Sequence, residues 1–444
     1  MSKKKVRNPL IKRIPKELIG DWKKYLVVFL FLVLTIGFVS GMYVANESML
    51  KSAADGVKEY KQEDGHFELK KQADDALLSA IETGEKADVK QYYLDEAKKK
   101  LDKKFPKKFK STFDEKFKSK FDAQFSAQVK QTLVAQGMDE QTVAAMLPAA
   151  VKQAKADGTY KNAYDKAYSS AYTDAYDKAY DEAWKKAQDK IEDKYADAEE
   201  KYELNDPDFK ATKTTVYENF FRNEEEDYNN DGKKDGTIRV FPQTEDINLA
   251  CLLKGSFPQT KDEIAIDRMH ADNVGVKVGD EISVSGQRFK VVGLIAYVNY
   301  ATLHEKSTDM MFDAIKFDVA MVTPEGFDRL HKSIHYGYAW NYVDSPADDV
   351  EQKTMSDDFM KALLTQVVCA DRELEDYLPR YANPAINFAT EDMGSDKAMG
   401  GVLLDILIVI IAFIFAVTIS NTIVKEASTI GTLRASGYTK GELV

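Results

Sequence analysis

Cysteine and histidine are scarce in this chain of 444 residues. Its two cysteines, Cys251 and Cys369, lie far apart, so the protein's stability cannot depend on a disulfide framework. The sequence leaves open whether they pair or stay free. The five histidines are scattered, and no Glu stands between His331 and His335 in the pattern of a zinc protease. We therefore expect no catalytic zinc centre of that type.

Motifs for nucleotide binding and for hydrolysis are also absent from the sequence. It contains neither the Gly-x-x-x-x-Gly-Lys-Ser/Thr loop that cradles phosphates nor the Gly-x-Ser-x-Gly turn of serine hydrolases. We expect no catalytic residues and no cofactor in this chain. Any ATP that drives its function would be bound and hydrolysed by a partner subunit.

Acidic residues outnumber basic ones, with 73 Asp and Glu against 62 Lys and Arg and a formal net charge of −11. The excess lies in residues 46–400, since the first 24 residues are strongly basic. An acidic surface is repelled by phosphate backbones and by anionic headgroups. The composition argues against nucleic acid as a partner and against a domain that lies flat on the membrane.

Two long apolar runs interrupt this charged composition. Residues 25–45 hold no charge and as a helix would span about 31 Å, which matches a hydrocarbon core of about 30 Å. A cleaved signal peptide is the alternative, but this run is long for one and lacks a clear small-residue cleavage site. The second run, residues 400–422, contains one carboxylate, Asp405, which would either reach the headgroups near the outer end or be paired and buried among other membrane helices. Both runs are predicted to be transmembrane helices in contact with the lipid bilayer.

Basic residues predict the orientation of the chain. Residues 1–24 contain nine Lys or Arg and two acidic residues, which places this end in the cytosol. Two spans return the C-terminus to the cytosol and leave residues 46–399 outside the cell membrane.

The predicted fold is an α+β membrane protein, in which two transmembrane helices flank an extracytoplasmic α+β domain with a long inserted antiparallel helical hairpin. The predicted segments are a cytosolic N-terminus at 1–24, a transmembrane helix at 25–45, ectodomain at 46–87, the hairpin at 88–204, ectodomain at 205–399, a transmembrane helix at 400–422 and a cytosolic coupling helix at 423–444.

The predicted hairpin carries two aromatic repeats, each with a period of four residues. They are Phe105, Phe109, Phe113, Phe117, Phe121 and Phe125, and then Tyr160, Tyr164, Tyr168, Tyr172, Tyr176, Tyr180 and Trp184. A step of four drifts by about 40° around a helix, so the two stripes would wind together in an antiparallel pair with the tyrosine hydroxyls at a wet edge. Arms of roughly forty residues would be roughly 60 Å long. The hairpin is either a lever or docking arm for an extracytoplasmic protein, or a seam whose rings only hold two helices together.

The remaining ectodomain alternates between strand and helix patterns. A tight turn at Ser285-Gly286 joins two of the strands as a hairpin. This pattern indicates a compact α+β domain. The predicted strands are 66–70, 239–241, 247–249, 263–266, 281–284 and 289–295, and the predicted helices are 72–81, 267–273, 324–334 and 348–369.

One loop resembles a calcium-binding loop. Asp227, Asn229, Asp231 and Asp235 occupy its positions 1, 3, 5 and 9, and a glycine occupies position 6. Position 12, where a bidentate carboxylate is needed, is Ile238. A turn rich in Asn, Asp and Gly explains the same residues without a metal, so these four are weak metal candidates.

The end of the chain carries the most specific pattern. The second apolar run leads into Ile430-Gly-Thr-Leu-Arg-Ala-Ser-Gly-Tyr438. The order of span, ectodomain, span and this C-terminal segment resembles the FtsX/MacB-type permeases of ABC transporters. One departure is Thr429, where that family often has Glu, although Glu426 stands one turn earlier. Four ectodomain segments, 253–258, 262–267, 278–280 and 289–293, also resemble the family and occur in its order.

The resemblance implies a coupling segment that contacts a separate ATPase subunit. Ile430, Leu433 and Tyr438 would pack on the ATPase, and Arg434 would contact its acidic rim. The chain would be a permease subunit that couples ATP hydrolysis to substrate export or to mechanical signalling toward an extracytoplasmic partner. Because such permeases have at least four spans, the resemblance implies the N-terminal part of a longer or split permease. A two-span receptor or sensor input module is the alternative function.

Overall fold

The structure, a computed structural model, describes residues 14–20 and 22–443. It divides into two compact units, each with one free cysteine. The barrel unit comprises residues 14–69, 216–341 and 375–443, and the hairpin unit comprises residues 70–215 and 342–374. Six of the basic residues that predict the orientation lie outside the described residues: Lys3, Lys4, Lys5, Arg7, Lys12 and Arg13.

Helices and strands largely occur in separate runs along the described chain, in agreement with the α+β prediction. The helices are α1 Ile14–Gly20, α2 Trp22–Glu59, α3 Asp75–Glu82, α4 Val89–Ala135, α5 Glu140–Ala156, α6 Thr159–Lys201, α7 Arg268–Val274, α8 Pro324–Asp328, α9 Asp349–Cys369, α10 Pro384–Ala435 and α11 Lys440–Leu443. The strands are β1 Gly65–Leu69, β2 Thr214–Glu218, β3 Arg222–Asp227, β4 Gly236–Pro242, β5 Ala250–Gly255, β6 Glu263–Asp267, β7 Glu281–Val284, β8 Gln287–Tyr297, β9 Phe317–Val322, β10 Tyr336–Tyr342 and β11 Leu374–Pro379.

A closed barrel forms the largest sheet of the barrel unit. Its strands follow the order β5-β8-β6-β9-β4-β3-β7, and β7 pairs again with β8. Alternate side chains point into the barrel and form an apolar core, because successive residues of a strand face opposite sides. This core includes Ile238, Val240, Ile264, Ile266, Ile282, Val284, Phe289, Val291 and Val322. A second cluster on the opposite face of the sheet includes Phe241, Ile295, Tyr297, Phe317 and Met321.

A smaller sheet of the barrel unit has the order β11-β1-β10-β2. Strands β1 and β10 are antiparallel, with Gly65 opposite Trp340. A Cβ at Gly65 would lie 2.3 Å from Cζ2 of the fully buried Trp340 ring, so only glycine fits at this position. Phe67 stacks on Tyr338 at a centroid distance of 5.2 Å and completes the core of this sheet.

Two sequence predictions in the ectodomain are wrong. Residues 247–249 are not a strand, because Asn248 takes a positive φ of 50° and its N–H donates to the carbonyl of Lys61 at 2.9 Å. The helix predicted at 324–334 ends at Asp328, where the N–H of Arg329 caps it by donating to the Gly326 carbonyl.

The two apolar runs lie in helices that are longer than predicted. Helix α2 has 38 residues and α10 has 52. The side chain of Asn383 caps α10 by accepting from the Ala385 N–H at 3.0 Å. The helix ends where Gly437 takes a φ of 94° and the Tyr438 N–H donates to the Leu433 carbonyl. The first part of the coupling helix predicted at 423–444 therefore continues α10 without a break, and α11 lies within its second part.

The hairpin unit contains two long helices, α4 and α6, and a shorter α5 that packs against both. At about 1.5 Å per residue, the 47 residues of α4 extend about 70 Å. Pro106 lies inside α4 and Pro148 inside α5, and neither ends its helix. A proline inside a helix removes one backbone hydrogen bond and its ring crowds the carbonyl four residues earlier, a cost that the packing of α4, α5 and α6 offsets. The sequence did not predict α5 as an element of its own.

Candidate functional site

The two apolar helices, α2 and α10, pack antiparallel. The Cε of Met42 lies 3.8 Å from the position that a Cβ would take at Gly400. Nearer the ectodomain, Lys397 forms an ion pair with Glu47, and toward the other end Val39 is buried. Close approach at a glycine among apolar neighbours is typical of helix pairs in membranes.

The outward faces of this helix pair are apolar and exposed. Phe38 is 72% exposed and Phe413 is 69% exposed. Among the described residues, only α2 and α10 are long and apolar enough to cross a membrane. An apolar surface of this extent needs lipid or further apolar helices to cover it. Asp405 is exposed within the same region, and its contact with headgroups stays a prediction.

The four predicted coupling residues lie together at the end of α10. Ile430 and Leu433 are half-buried on neighbouring turns, and Arg434 is exposed beside them. Tyr438 follows the helix end, and its N–H donates to the Leu433 carbonyl at 3.2 Å, which returns the chain toward the last turn. The segment thus presents two aliphatic groups, one cation and one aromatic ring within a short distance along the chain.

The barrel unit anchors the other end of α10. The Thr302 N–H donates to the carbonyl of Ala385 at 3.0 Å, and the Thr302 hydroxyl lies 3.3 Å from the carbonyl of Pro384. Ala385 and Ile386 are both buried. One continuous helix therefore joins the barrel strands to the predicted coupling residues.

The two aromatic repeats meet in the seam between α4 and α6. Each phenylalanine from Phe105 to Phe121 lies edge-on to two tyrosines, with centroid distances of 5.1 to 5.5 Å. Phe125 contacts Tyr160 and Phe105 contacts Tyr180, so the two helices run antiparallel. Edge-to-face pairs contribute roughly 0.5–1.5 kcal/mol each beyond their burial. The seam therefore stabilises the pairing of α4 with α6.

Three tyrosine hydroxyls of this seam bind carboxylates, where the sequence predicted contact with water. Tyr160 donates to Oδ1 of Asp122 at 2.5 Å. Tyr168 donates to Asp114 and Tyr180 to Asp102 in the same way. Partial burial and the hydrogen bond to Asp122 raise the pKa of Tyr160 to about 12, and the same hydrogen bond lowers the pKa of Asp122.

The calcium-like loop is the connection between β3 and β4. The carboxylate of Asp227 accepts the backbone N–H groups of Asp231 at 3.1 Å and Gly232 at 2.9 Å. The Asp235 N–H donates to the Glu226 carbonyl at 2.8 Å, which closes the hairpin. Ile238 is fully buried in the barrel core, so position 12 of the loop offers no ligand. These hydrogen bonds account for the loop residues as a turn.

A cavity of about 190 Å³ lies in the barrel unit. Its lining includes His66, Arg239, Asn299 and His304. Nε2 of His304 and Oδ1 of Asn299 are buried, and no described residue supplies them with a hydrogen bond. Burial lowers the pKa of His304, so its ring is neutral at physiological pH. The cavity is suited to water or to another small polar molecule.

A buried group of three polar residues went unpredicted because its members lie far apart in the sequence. Glu226, His270 and Asp318 are each at most 1% exposed, and their ligand atoms all lie within 4.8 Å of one another. Burial by itself would lower the pKa of His270, but the charges of Asp318 and Glu226 outweigh it and raise this pKa to about 9. Burial also raises the pKa of Asp318 well above its usual range.

Comparison with known proteins gives structural neighbours only. No protein-family model and no curated protein matches the sequence. Two solved structures are similar over 39% of this chain, each with 11% identity. They are the periplasmic region of MacB from Actinobacillus actinomycetemcomitans, with 75% of that chain covered and a TM-score of 0.23, and the extracellular domain of the noncanonic ABC-type transporter YknZ from Gram-positive bacteria, with 86% covered and a TM-score of 0.22. Scores this low do not establish a common fold.

Proposed function

We propose that this chain is a permease subunit of an ABC transporter of the FtsX/MacB type. In this proposal α2 and α10 cross the cell membrane, both termini are cytosolic and residues 46–399 lie outside. A separate ATPase subunit binds and hydrolyses ATP. Ile430, Leu433, Arg434 and Tyr438 contact this subunit and receive its movement.

The continuity of α10 is the observation that carries the proposal. Its first turn is held by Thr302 in the barrel unit, and its last turns carry three of the four predicted coupling residues, with Tyr438 just beyond the helix end. A helix without a break transmits displacement and rotation along its axis, whereas a flexible linker would absorb them. Movement of an ATPase at Leu433 would therefore reach the ectodomain at Ala385.

We further propose that the hairpin unit is the contact surface for an extracytoplasmic protein. Helix α4 carries 13 lysines and 6 acidic residues, so its surface is basic and would attract an acidic partner. Through this contact the movement of the ATPase would act as a mechanical signal to the extracytoplasmic partner. Substrate export is the alternative result of the same coupled movement.

The orientation is tested with the protein in intact cells. Cys251 and Cys369 are replaced by Ser, and single cysteines are introduced at the exposed positions Lys161 and Ser428. A membrane-impermeant maleimide should label the cysteine at 161 in intact cells and the cysteine at 428 only after lysis. Labelling of both positions, or of neither, in intact cells would contradict the proposed topology.

Coupling is tested by co-expressing the chain, with any further permease part encoded beside it, and the ABC ATPase encoded next to it. The purified complex in lipid nanodiscs should hydrolyse ATP faster than the ATPase alone. A complex that does not form, or a chain that instead co-purifies with a kinase or methyl-accepting module, would favour the two-span receptor.

A further inference from the structure

We propose that Glu226, His270 and Asp318 form a binding site for one divalent transition-metal cation, with Zn²⁺ as the cation that suits the donor atoms best. The site lies at one end of the barrel. It is independent of the proposed coupling function, and the metal would act by stabilising the ectodomain.

The barrel topology brings the three residues together. Glu226 lies at the end of β3, and Asp318 lies at the start of β9. Because β3 and β9 both pair with β4, the first antiparallel and the second parallel, these two strand positions meet at the same end of the barrel. His270 belongs to α7, which follows directly on β6, the other neighbour of β9.

The distances within the cluster fit a metal site. Nε2 of His270 lies 3.2 Å from Oε1 of Glu226, and the ligand atoms of all three residues lie within 4.8 Å of one another. Tetrahedral Zn²⁺ holds its N and O ligands at about 2.0–2.2 Å, which places neighbouring ligand atoms roughly 3.3–3.6 Å apart. A cation therefore fits with only small side-chain movements.

Hydrogen bonds outside the cluster orient two of the ligands. Nδ1 of His270 lies 2.9 Å from the carbonyl oxygen of Ala314, and because a carbonyl only accepts, Nδ1 carries the hydrogen. A bound cation displaces the proton from Nε2, and the ring in this tautomer then directs its Nε2 lone pair at the cation, as in most metal-binding histidines. Oδ1 of Asp318 accepts from the N–H groups of Asp267 at 3.1 Å and Val319 at 2.8 Å, which leaves Oδ2 for the cluster.

No residue outside the cluster, in the part of the chain that the structure describes, forms a hydrogen bond with its remaining polar atoms. Both carboxylate oxygens of Glu226, Oδ2 of Asp318 and Nε2 of His270 are buried without a well-formed hydrogen bond. Glu224, two residues away on the same strand, is also buried but accepts from the Ser285 hydroxyl at 2.5 Å and from the Lys332 N–H at 3.2 Å. Buried polar groups are nearly always satisfied, so four atoms that converge on one point without a well-formed hydrogen bond are suited to bind a cation.

Charge and donor type select the kind of cation. Two carboxylates with a neutral imidazole carry a charge of −2, which one divalent cation neutralises. The imidazole nitrogen disfavours Ca²⁺ and Mg²⁺, whereas carboxylate and imidazole together suit Zn²⁺. If Glu226 binds through both oxygens, the three side chains supply four ligand atoms.

Metal content of the full chain tests the proposal. Protein without a polyhistidine tag is treated with EDTA in detergent, equilibrated with ZnCl₂, desalted and analysed by mass spectrometry of the metal. Wild type should retain about one more Zn²⁺ per chain than Glu226→Gln. Glu224→Gln, the matched control on the same strand, should retain as much Zn²⁺ as wild type. Any Zn²⁺ bound by surface histidines is the same in all three proteins and does not affect their difference.

Thermal unfolding with and without Zn²⁺ gives a second readout, which in the wild type requires no variant. Zn²⁺ should raise the melting temperature of wild type and of Glu224→Gln, because the cation binds only the folded cluster. Wild type that retains no Zn²⁺ and shows no shift overturns the proposal, as does Glu226→Gln that binds as tightly as wild type. If Glu226→Gln does not fold, Asp318→Asn replaces it, with an expected loss of affinity of more than about 100-fold.

Discussion

The hydroxyl of Tyr160 on α6 donates a hydrogen bond of 2.5 Å to Oδ1 of Asp122 on α4. The interaction stabilises the protonated phenol, and the pKa of Tyr160 is raised to about 12 in the folded chain. A folded pKa above the unfolded value gives stability that is complete below about pH 10 and is lost as the pH rises through about 12. We expect Tyr160 to remain protonated at pH 11, as measured by NMR titration of labelled tyrosine. The variant Asp122→Ala should lower this midpoint, and an unchanged midpoint would contradict the assigned interaction.

Phe121 tests the aromatic seam. It lies edge-on to Tyr160 and Tyr164 and stacks between Phe117 and Phe125. Phe121→Ala should destabilise the hairpin by about 2–4 kcal/mol, because it removes these contacts and leaves a cavity. Hydrogen exchange of α4 and α6 amides in the full chain measures this loss locally.

The control for the seam is Val134, on the same helix and 53% exposed. Val134→Ala should change the exchange of the same amides by less than about 0.5 kcal/mol. Equal effects of the two substitutions would show that the ring contacts do not hold the helices together.

Gly400 tests the packing of α2 against α10. Its missing side chain lets Met42 approach, so Gly400→Leu should push the helix axes apart by roughly 2 Å. Spin labels at the exposed positions Phe38 and Phe413 would report the change by pulsed electron resonance. Lys397→Ala should leave the distance unchanged and cost less than about 1 kcal/mol, because its pair with Glu47 is largely exposed. If the two helices separate more in Lys397→Ala than in Gly400→Leu, the ion pair with Glu47, and not the close approach at Gly400, holds them together.

Leu433 tests the proposed contact with the ATPase. Leu433→Glu introduces a charge into the half-buried side of the coupling segment and should reduce stimulation of ATP hydrolysis by about tenfold or more, since burying an unpaired carboxylate is costly. Thr432→Glu places the same charge on the adjacent exposed position and should have a smaller effect. If wild type and Leu433→Glu stimulate ATP hydrolysis equally, Leu433 does not contact the ATPase.

Local patterns in the sequence predicted the most regular parts of the structure. The charge-free run at 25–45 and the four-residue aromatic repeats each specify a helix without help from distant residues. The ends of these helices were predicted less well. Helix α10 extends beyond the apolar run on both sides, from Pro384 to Ala435, and hydrophobicity marks only the part of a helix that needs an apolar environment.

The features that the sequence did not predict depend on contacts between residues far apart along the chain. Strand β3 has the sequence Arg222-Asn-Glu-Glu-Glu-Asp227, which has little intrinsic tendency to form a strand. Its pairing with β4 and β7 overrides this tendency and buries Glu224 and Glu226. The Glu226–His270–Asp318 cluster exists only after the barrel closes, so no spacing in the sequence could reveal it. The coupling residues were predicted from a contiguous motif, and their ATPase contact stays a prediction.

The repeats of the hairpin also create an ambiguity in how α4 and α6 align. Since phenylalanines and tyrosines both recur every four residues, sliding one helix by a single repeat would restore most ring contacts at little cost. The three Tyr–Asp hydrogen bonds would not survive, because such a slip in one direction sets Tyr160, Tyr168 and Tyr180 opposite Lys118, Lys110 and Lys98. Polar pairs that select one alignment of otherwise equivalent apolar contacts are known from coiled coils. Asp102, Asp114 and Asp122 thus select the observed alignment of α4 with α6.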